Sequence, residues 1–166
     1  MSVGASAEDV AIGLSRFPGL KRRLQYLGRV RGQELWNDFA HHPTAVAAAI
    51  STLREVYPGA RLCVVFEPHQ VSRTAALLDE FAAALAQVDL VAVTDIFRAR
   101  EVSAKCDVTA ADLAVRIRSH GAEVLGEHNM DDIRERLLAA CPPADVVVTM
   151  GAGEIGKLSN ALRNRI

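Results

Sequence analysis

The sequence lacks a GxxxxGK[ST] string, so it carries no phosphate loop to cradle the β- and γ-phosphates of a nucleoside triphosphate. Its three cysteines, Cys63, Cys106 and Cys141, are odd in number and show no CxxC spacing. That pattern excludes a disulfide framework or a thiolate metal knuckle and leaves small core or boundary residues as the reading. No window is long and apolar enough to cross a bilayer, and the first twenty residues hold Glu8 and Asp9 without a continuous apolar stretch. The expected compartment is therefore the cytoplasm, with no membrane partner. Charge of one sign is also missing: 19 Lys and Arg stand against 20 Asp and Glu, scattered rather than striped, for a net charge of −1. Such a balance gives no field for nucleic acid. Internal repeats, low-complexity stretches and long linkers are absent as well.

What is present is enough for one domain. A chain of 166 residues that is 50% hydrophobic can bury a core. Ser6 followed by Asp9 reads as a capped helix start, with Val10, Ile12 and Leu14 as apolar positions before Phe17-Pro18-Gly19 ends the helix. Residues 24–30 and 33–36 flank Arg31-Gly32 as an antiparallel hairpin. From there the pattern alternates: helix 43–56, strand 61–66, helix 72–86, strand 90–94, helix 110–119, strand 123–125, helix 130–140, strand 145–150 and helix 154–164. Thr109 with Asp112 and Asn129 with Asp132 mark two of the helix starts, and Tyr57-Pro58-Gly59 marks a turn. Uninterrupted Val-rich strands such as 145–149 suit a sheet covered on both faces. The rhythm predicts an α/β fold, a Rossmann-like, mostly parallel sheet flanked by helices with an N-terminal antiparallel hairpin.

In such sheets ligands gather beyond the carboxyl ends of the strands, and the polar segments sit there. Asn37-Asp38-Phe39-Ala40-His41-His42-Pro43-Thr44 sets an acid and two imidazoles against a helix start whose N–H groups attract anions. Glu67-Pro68-His69-Gln70-Val71-Ser72-Arg73-Thr74 follows the next strand. Arg73 near a helix start opposes the macrodipole, which an anionic partner would offset. His41 and His42 alone do not make a metal site, and His69, His120 and His128 add no converging spacing, so no metal is expected. Gly151-Ala152-Gly153-Glu154-Ile155-Gly156 has GxGxxG form, but no strand carrying an acid follows it at the distance a dinucleotide fold requires. Those glycines serve either close approach of backbone N–H groups to an anion or tight helix–strand packing.

NDFAHHPT followed by FEPHQVSRT resembles the carboxyl-terminal domain of the Mur ligases, in its alanine-adding branch. The similarity extends from FPGLKRR at 17–23 through DIFRARE at 95–101 to GAGEIGK at 151–157. It implies an ATP-dependent ligase that joins the lactyl carboxylate of UDP-N-acetylmuramate to L-alanine through an acyl phosphate, with Mg²⁺. It assigns nucleotide contacts to Arg23, Asp38, His41 and His42, catalytic positioning to His41, His69 and Arg73, and substrate contacts to His69, Gln70, Arg73, Gly151, Gly153 and Lys157. Arg98, Arg100 and Glu101 match a substrate-loop segment. The family usually carries arginine where this chain has Gln70, one charge fewer. Ordinary readings stand beside these: a solvated turn at Lys21-Arg22-Arg23, a helix-entry acid at Asp38, a structural His42, and solvated charge at Lys157 and in the 98–101 loop. The missing phosphate loop implies that the whole chain, 1–166, is one domain of a ligase whose UDP-binding and ATPase domains are absent, retaining no cofactor and inactive by itself. The alternative is a free-standing module that holds a nucleotide or dinucleotide without chemistry. A domain that only docks to other chains is a third.

Overall fold

A computed structural model describes residues 4–101, 107–139 and 144–164. Cys106, Cys141 and Ala140 lie outside them. The elements, in chain order, are α1 (Ala7–Arg16), β1 (Gln25–Val30), β2 (Gln33–Asp38), α2 (Pro43–Val56), β3 (Leu62–Phe66), α3 (Val71–Ala76), α4 (Leu78–Leu85), β4 (Leu90–Thr94), α5 (Ala110–Ser119), β5 (Glu123–His128), α6 (Met130–Ala139), β6 (Val146–Met150) and α7 (Ile155–Arg163).

The six strands form one sheet in the order β1-β2-β6-β3-β4-β5. Among the described residues only the β1–β2 pair is antiparallel. Its turn residues Arg31 and Gly32 both have positive φ, 51° and 89°, as a tight two-residue hairpin turn with the strands' twist requires. All the other pairs are parallel, so the carboxyl ends of β2, β6, β3 and β4 open on the same edge. β6 is the last strand in sequence but lies between β2 and β3, which makes their ends the crossover point where α/β sheets leave a crevice.

Both sheet faces are covered, and this is why the strands are continuously apolar. In β3, Leu62, Val64 and Phe66 join a core with Val46, Ile50 and Leu53 of α2, Phe81 and Leu85 of α4, and Leu113 and Ile117 of α5. Cys63 and Val65, pointing the opposite way, join Ile133 of α6 and Ile155, Leu158 and Leu162 of α7. Each buried aliphatic or aromatic side chain contributes about 1.5–3 kcal/mol, so α2 is firmly held. By contrast α1 buries no residue and depends on its Ser6–Asp9 capping box.

Three element boundaries differ by more than one residue from the sequence reading. β2 continues past Trp36 through Asn37 and Asp38, which pair with Thr149 and Met150. Asn37 is tolerated there because its amide donates to Thr149 Oγ1 at 2.8 Å and Ser159 Oγ at 3.0 Å. The helix expected at 72–86 is broken at Leu77 (φ −122°, ψ 27°) into α3 and α4; Leu77 and Leu78 both lie against the core at the break. β5 runs on to His128 because Gly126, Glu127 and His128 pair with Ala92, Val93 and Thr94 after a register shift.

Candidate functional site

The segments after β2 and β3 bring their side chains together in a continuous row. The Arg22 and Arg23 guanidiniums lie 4.9 and 5.4 Å from the centre of the Phe39 ring. Phe39 meets His41 edge-on at 5.1 Å, and His41 is 5.8 Å from His69. His69 then lies 5.6 Å from Phe97 and 3.5 Å, Nδ1 to Nη1, from Arg73. Arginine over an aromatic face is attracted by the ring's quadrupole, so Phe39 seats two cations beside the imidazoles.

Local bonding fixes each member. His41 Nδ1 is 2.8 Å from the Phe39 carbonyl. A carbonyl only accepts, so this nitrogen carries the proton and Nε2 of the neutral ring is an acceptor. In His69 the opposite holds: Nδ1 faces an arginine donor, so the neutral ring carries its proton on Nε2. Burial, then the charge of Arg73 and the proximity of His41, push His69 below its ordinary pKa and favour that neutral ring. Among the described residues neither Nε2 has a hydrogen-bond partner, so the row presents one acceptor and one donor between two groups of cations.

Asp38 is buried at the end of β2. Its Oδ2 accepts from the Leu24 N–H at 2.6 Å and its Oδ1 from the Ala40 N–H at 2.7 Å. It thereby ties the basic turn to the strand end and orients the following histidine segment. His42 sits at the N-cap of α2, its Nδ1 accepting from the Thr44 N–H at 3.4 Å, and is exposed. Gln70 heads α3 with a φ of 70°; its N–H donates to the Phe97 carbonyl and its carbonyl accepts from Thr74. Glu101 caps that short helix from across the loop, accepting from the Val71 and Ser72 N–H groups at 2.6 and 3.1 Å. Hydrogen bonding by the Ser72 side chain, then by these two amides, holds the Glu101 carboxyl below its ordinary range.

Among the described residues the other sequence candidates add no side chain to the row, although the Gly151 backbone borders it. Lys157 is exposed and pairs with Glu154 at 2.6 Å. Arg98 and Arg100 are exposed loop residues. Gly151 and Gly153 pack tightly rather than framing an open cradle: a Cβ on Gly153 would lie 2.5 Å from Phe97 Cγ and 2.6 Å from Glu67 Oε2. The N–H groups of Glu154 and Ile155 already donate to the Glu67 carboxylate at 3.0 and 3.3 Å.

Four participants escaped the sequence reading: Arg22, Phe39, Glu67 and Phe97. Arg22 was masked by its neighbour; its Nη2 donates to the Gly151 carbonyl at 2.6 Å, joining residues 129 apart. Phe39 had a signal, a lone aromatic among polar residues at a strand end. Arg22 also lines a cleft of about 320 Å³ with Lys21, Asn37, Ser159 and Arg163, and none of its described lining residues is a carboxylate.

The row suits an oxyanion: guanidiniums at both ends, imidazoles between. It does not suit a divalent cation. Asp38, Glu67 and Glu101 each already accept two backbone amides, and among the described residues no three His, Cys, Asp or Glu side chains converge.

Known proteins share the sequence pattern and the fold. The Mur ligase, glutamate ligase domain family matches residues 22–153. The chain is 40% identical over 155 residues to a UDP-N-acetylmuramate–L-alanine ligase of Lachnospira eligens, aligned over 93% of this chain and 33% of that relative. A protein of the same name from Acidothermus cellulolyticus is 40% identical over 153 residues, 92% of this chain and 32% of the relative. The chain thus spans about a third of the length of the relatives it matches. Its fold matches that of a UDP-N-acetylmuramate-alanine ligase from Thermotoga maritima with a TM-score of 0.80, at 22% identity, over 99% of this chain and 34% of that one. A folylpolyglutamate synthase from Mycobacterium tuberculosis, complexed with ADP and AMPPCP, matches with a TM-score of 0.62 at 18% identity, over 98% of this chain and 36% of that one. With the family matched across most of its length and the sheet of its relatives, the chain belongs to the Mur ligase family as a glutamate ligase domain.

Proposed function

We propose that this chain is the carboxyl-terminal domain of an ATP-dependent UDP-N-acetylmuramate–L-alanine ligase acting in the cytoplasm, in peptidoglycan precursor synthesis. It supplies the nucleotide and amino-acid side of a site completed by UDP-binding and ATPase domains outside this chain. The observation that carries the reading is the row Arg22/Arg23–Phe39–His41–His69–Arg73, assembled from the turn before β1 and the segments after β2 and β3. ATP, when bound, supplies the phosphoryl group that makes the lactyl carboxylate reactive.

This chain's own residues position and stabilise. Arg73 holds the alanine carboxylate, a planar fork against a planar anion. Neutral His69 keeps a donor on Nε2 beside it without adding a second full charge. His41 lies within the row between the two basic ends, where the guanidinium groups offset charge on phosphoryl oxygens and its Nε2 is left to accept a hydrogen bond. Arg23 approaches the nucleotide, and Asp38 fixes the turn that carries it while its remaining lone pairs accept from ribose hydroxyls. His42 keeps α2 capped behind this segment. Gln70 lacks the charge of an arginine, so Arg73 carries the contact with the amino acid. Among the described residues the divalent ion finds no ligand set. A dinucleotide-binding module is disfavoured because the amides at the glycine loop are already engaged by Glu67.

Phosphate release tests this. With UDP-N-acetylmuramate, ATP and L-alanine, the chain alone turns over negligibly. The chain fused behind the amino-terminal and central domains of the Acidothermus cellulolyticus relative releases phosphate only when alanine is present. Turnover by the chain alone contradicts the proposal, as does a fusion whose activity is indifferent to Arg73→Ala.

A further inference from the structure

Glu67 ends β3 in the middle of the sheet, is 1% exposed, and takes no part in the cationic row. Its backbone N–H donates to the Met150 carbonyl at 2.8 Å, stitching the β3 exit to the β6 exit. The side chain then turns to the start of α7, where Oε1 accepts from Glu154 N–H at 3.0 Å and Oε2 from Ile155 N–H at 3.3 Å. These are donors that a nine-residue helix leaves without intrahelical partners, at the positive end of its dipole. The glycine loop is moulded around the carboxylate. A Cβ on Gly151 would lie 2.9 Å from Glu67 Cβ, and one on Gly153 would lie 2.6 Å from Oε2.

We propose that Glu67 is an internal anion that fills the amide site at the start of α7, excludes an external phosphate or carboxylate from it, and thereby directs the substrate's anionic group to the Arg73 side of the row. The first two clauses stand on this chain's geometry; the last rests on the ligase reading. Glu67 is a positioning residue: it touches no substrate and sets which donors remain available. Burial raises its carboxyl above the ordinary range, while the amides at 153–155 and the charge of Arg22 pull the other way. The donors offset only part of that burial, so the assignment stands on the two amide hydrogen bonds and the close packing of the glycine loop. Without it, the α7 amides and Arg22 would form an open anion site of the kind helix starts offer.

The test follows the backbone amide signals of the ¹⁵N-labelled chain during titration with inorganic phosphate. In the wild type, signals of His69 and Arg73 move while Gly153, Glu154 and Ile155 stay still. Glu67→Gln keeps the side-chain volume and one acceptor oxygen but removes the charge, and Glu67→Ala clears the site. In both, the three loop amides now shift and saturate, with an apparent affinity about tenfold tighter than any loop response of the wild type. A purely structural role would instead lower stability without creating a phosphate response. Loop amides that respond equally in wild type overturn the proposal by themselves, without any variant. A folded Glu67→Gln whose loop stays silent overturns it too. Silence at His69 and Arg73, with the loop behaving as stated, removes the clause on the substrate and the ligase reading beneath it, and leaves the occupancy of the α7 amides standing.

Discussion

At the scale of single residues, the site is defined by which polar atoms are already committed. His69 is the informative case, since burial first, then Arg73 and His41, hold it below its ordinary 6.5. Folding therefore sheds a proton that the unfolded chain would keep, and stability rises with pH across this interval. The contribution is complete above 6.5 and is lost as the pH falls through the folded value. A proton NMR titration of the His69 ring is expected to show a midpoint below 6.5, shifted upward in Arg73→Gln, where a neighbouring positive charge is gone. A midpoint indifferent to Arg73 would separate the two side chains and break the row. Much of this was legible in the sequence: two imidazoles, an acid and an arginine at strand ends are sparse, polar and out of place in apolar surroundings. Glu67 was not, because the amides it serves lie 87 and 88 residues further along, and nothing in Phe66-Glu67-Pro68 distinguishes a buried cap from a loop charge.

At the scale of elements, local chemistry wrote the helix starts and tertiary packing wrote the breaks. Thr109 and Asp112 form the reciprocal capping box on α5: Thr109 Oγ1 accepts from the Asp112 N–H at 3.3 Å, and Asp112 Oδ2 accepts from the Thr109 N–H at 2.8 Å. Thr109→Ala is expected to cost about 1 kcal/mol in urea denaturation, with Thr109→Ser close to the wild type. Equal losses in both would mean that the methyl group, not the cap, matters. The same signature made the starts of α1 and α5 readable. The Leu77 break carried no such signal, since Ala75, Ala76, Leu77 and Leu78 are all good helix formers; only the core beneath them separates α3 from α4. The length of β2 was missed for a related reason. Asn37 reads as a strand terminator until Thr149 and Ser159, on β6 and α7, supply its partners. Both misses bear on the site: the longer β2 brings Asp38 into the sheet, and the short α3 needs Glu101 to cap it from a different loop.

At the scale of the molecule, a sheet covered on both faces leaves chemistry to its open carboxyl edge, and every member of the row comes from there or from the basic turn that Asp38 ties to it. The period of the strands and helices predicted that layout, and the crossover position of β6 sharpened it by placing the ends of β2 and β3 on either side of one strand. The chain covers about a third of its relatives' length, which fits a domain contributing one wall of a site and none of the phosphate loop. The most direct test of that wall is a parallel titration of the labelled chain with ATP and with NAD, followed at Arg23, Phe39, His41, His69, Arg73 and the 151–156 loop. The account predicts a weak ATP response confined to the row, and no NAD binding at the loop. Tight NAD binding centred on Gly151–Gly156, or ATP shifts scattered away from the row, would contradict it.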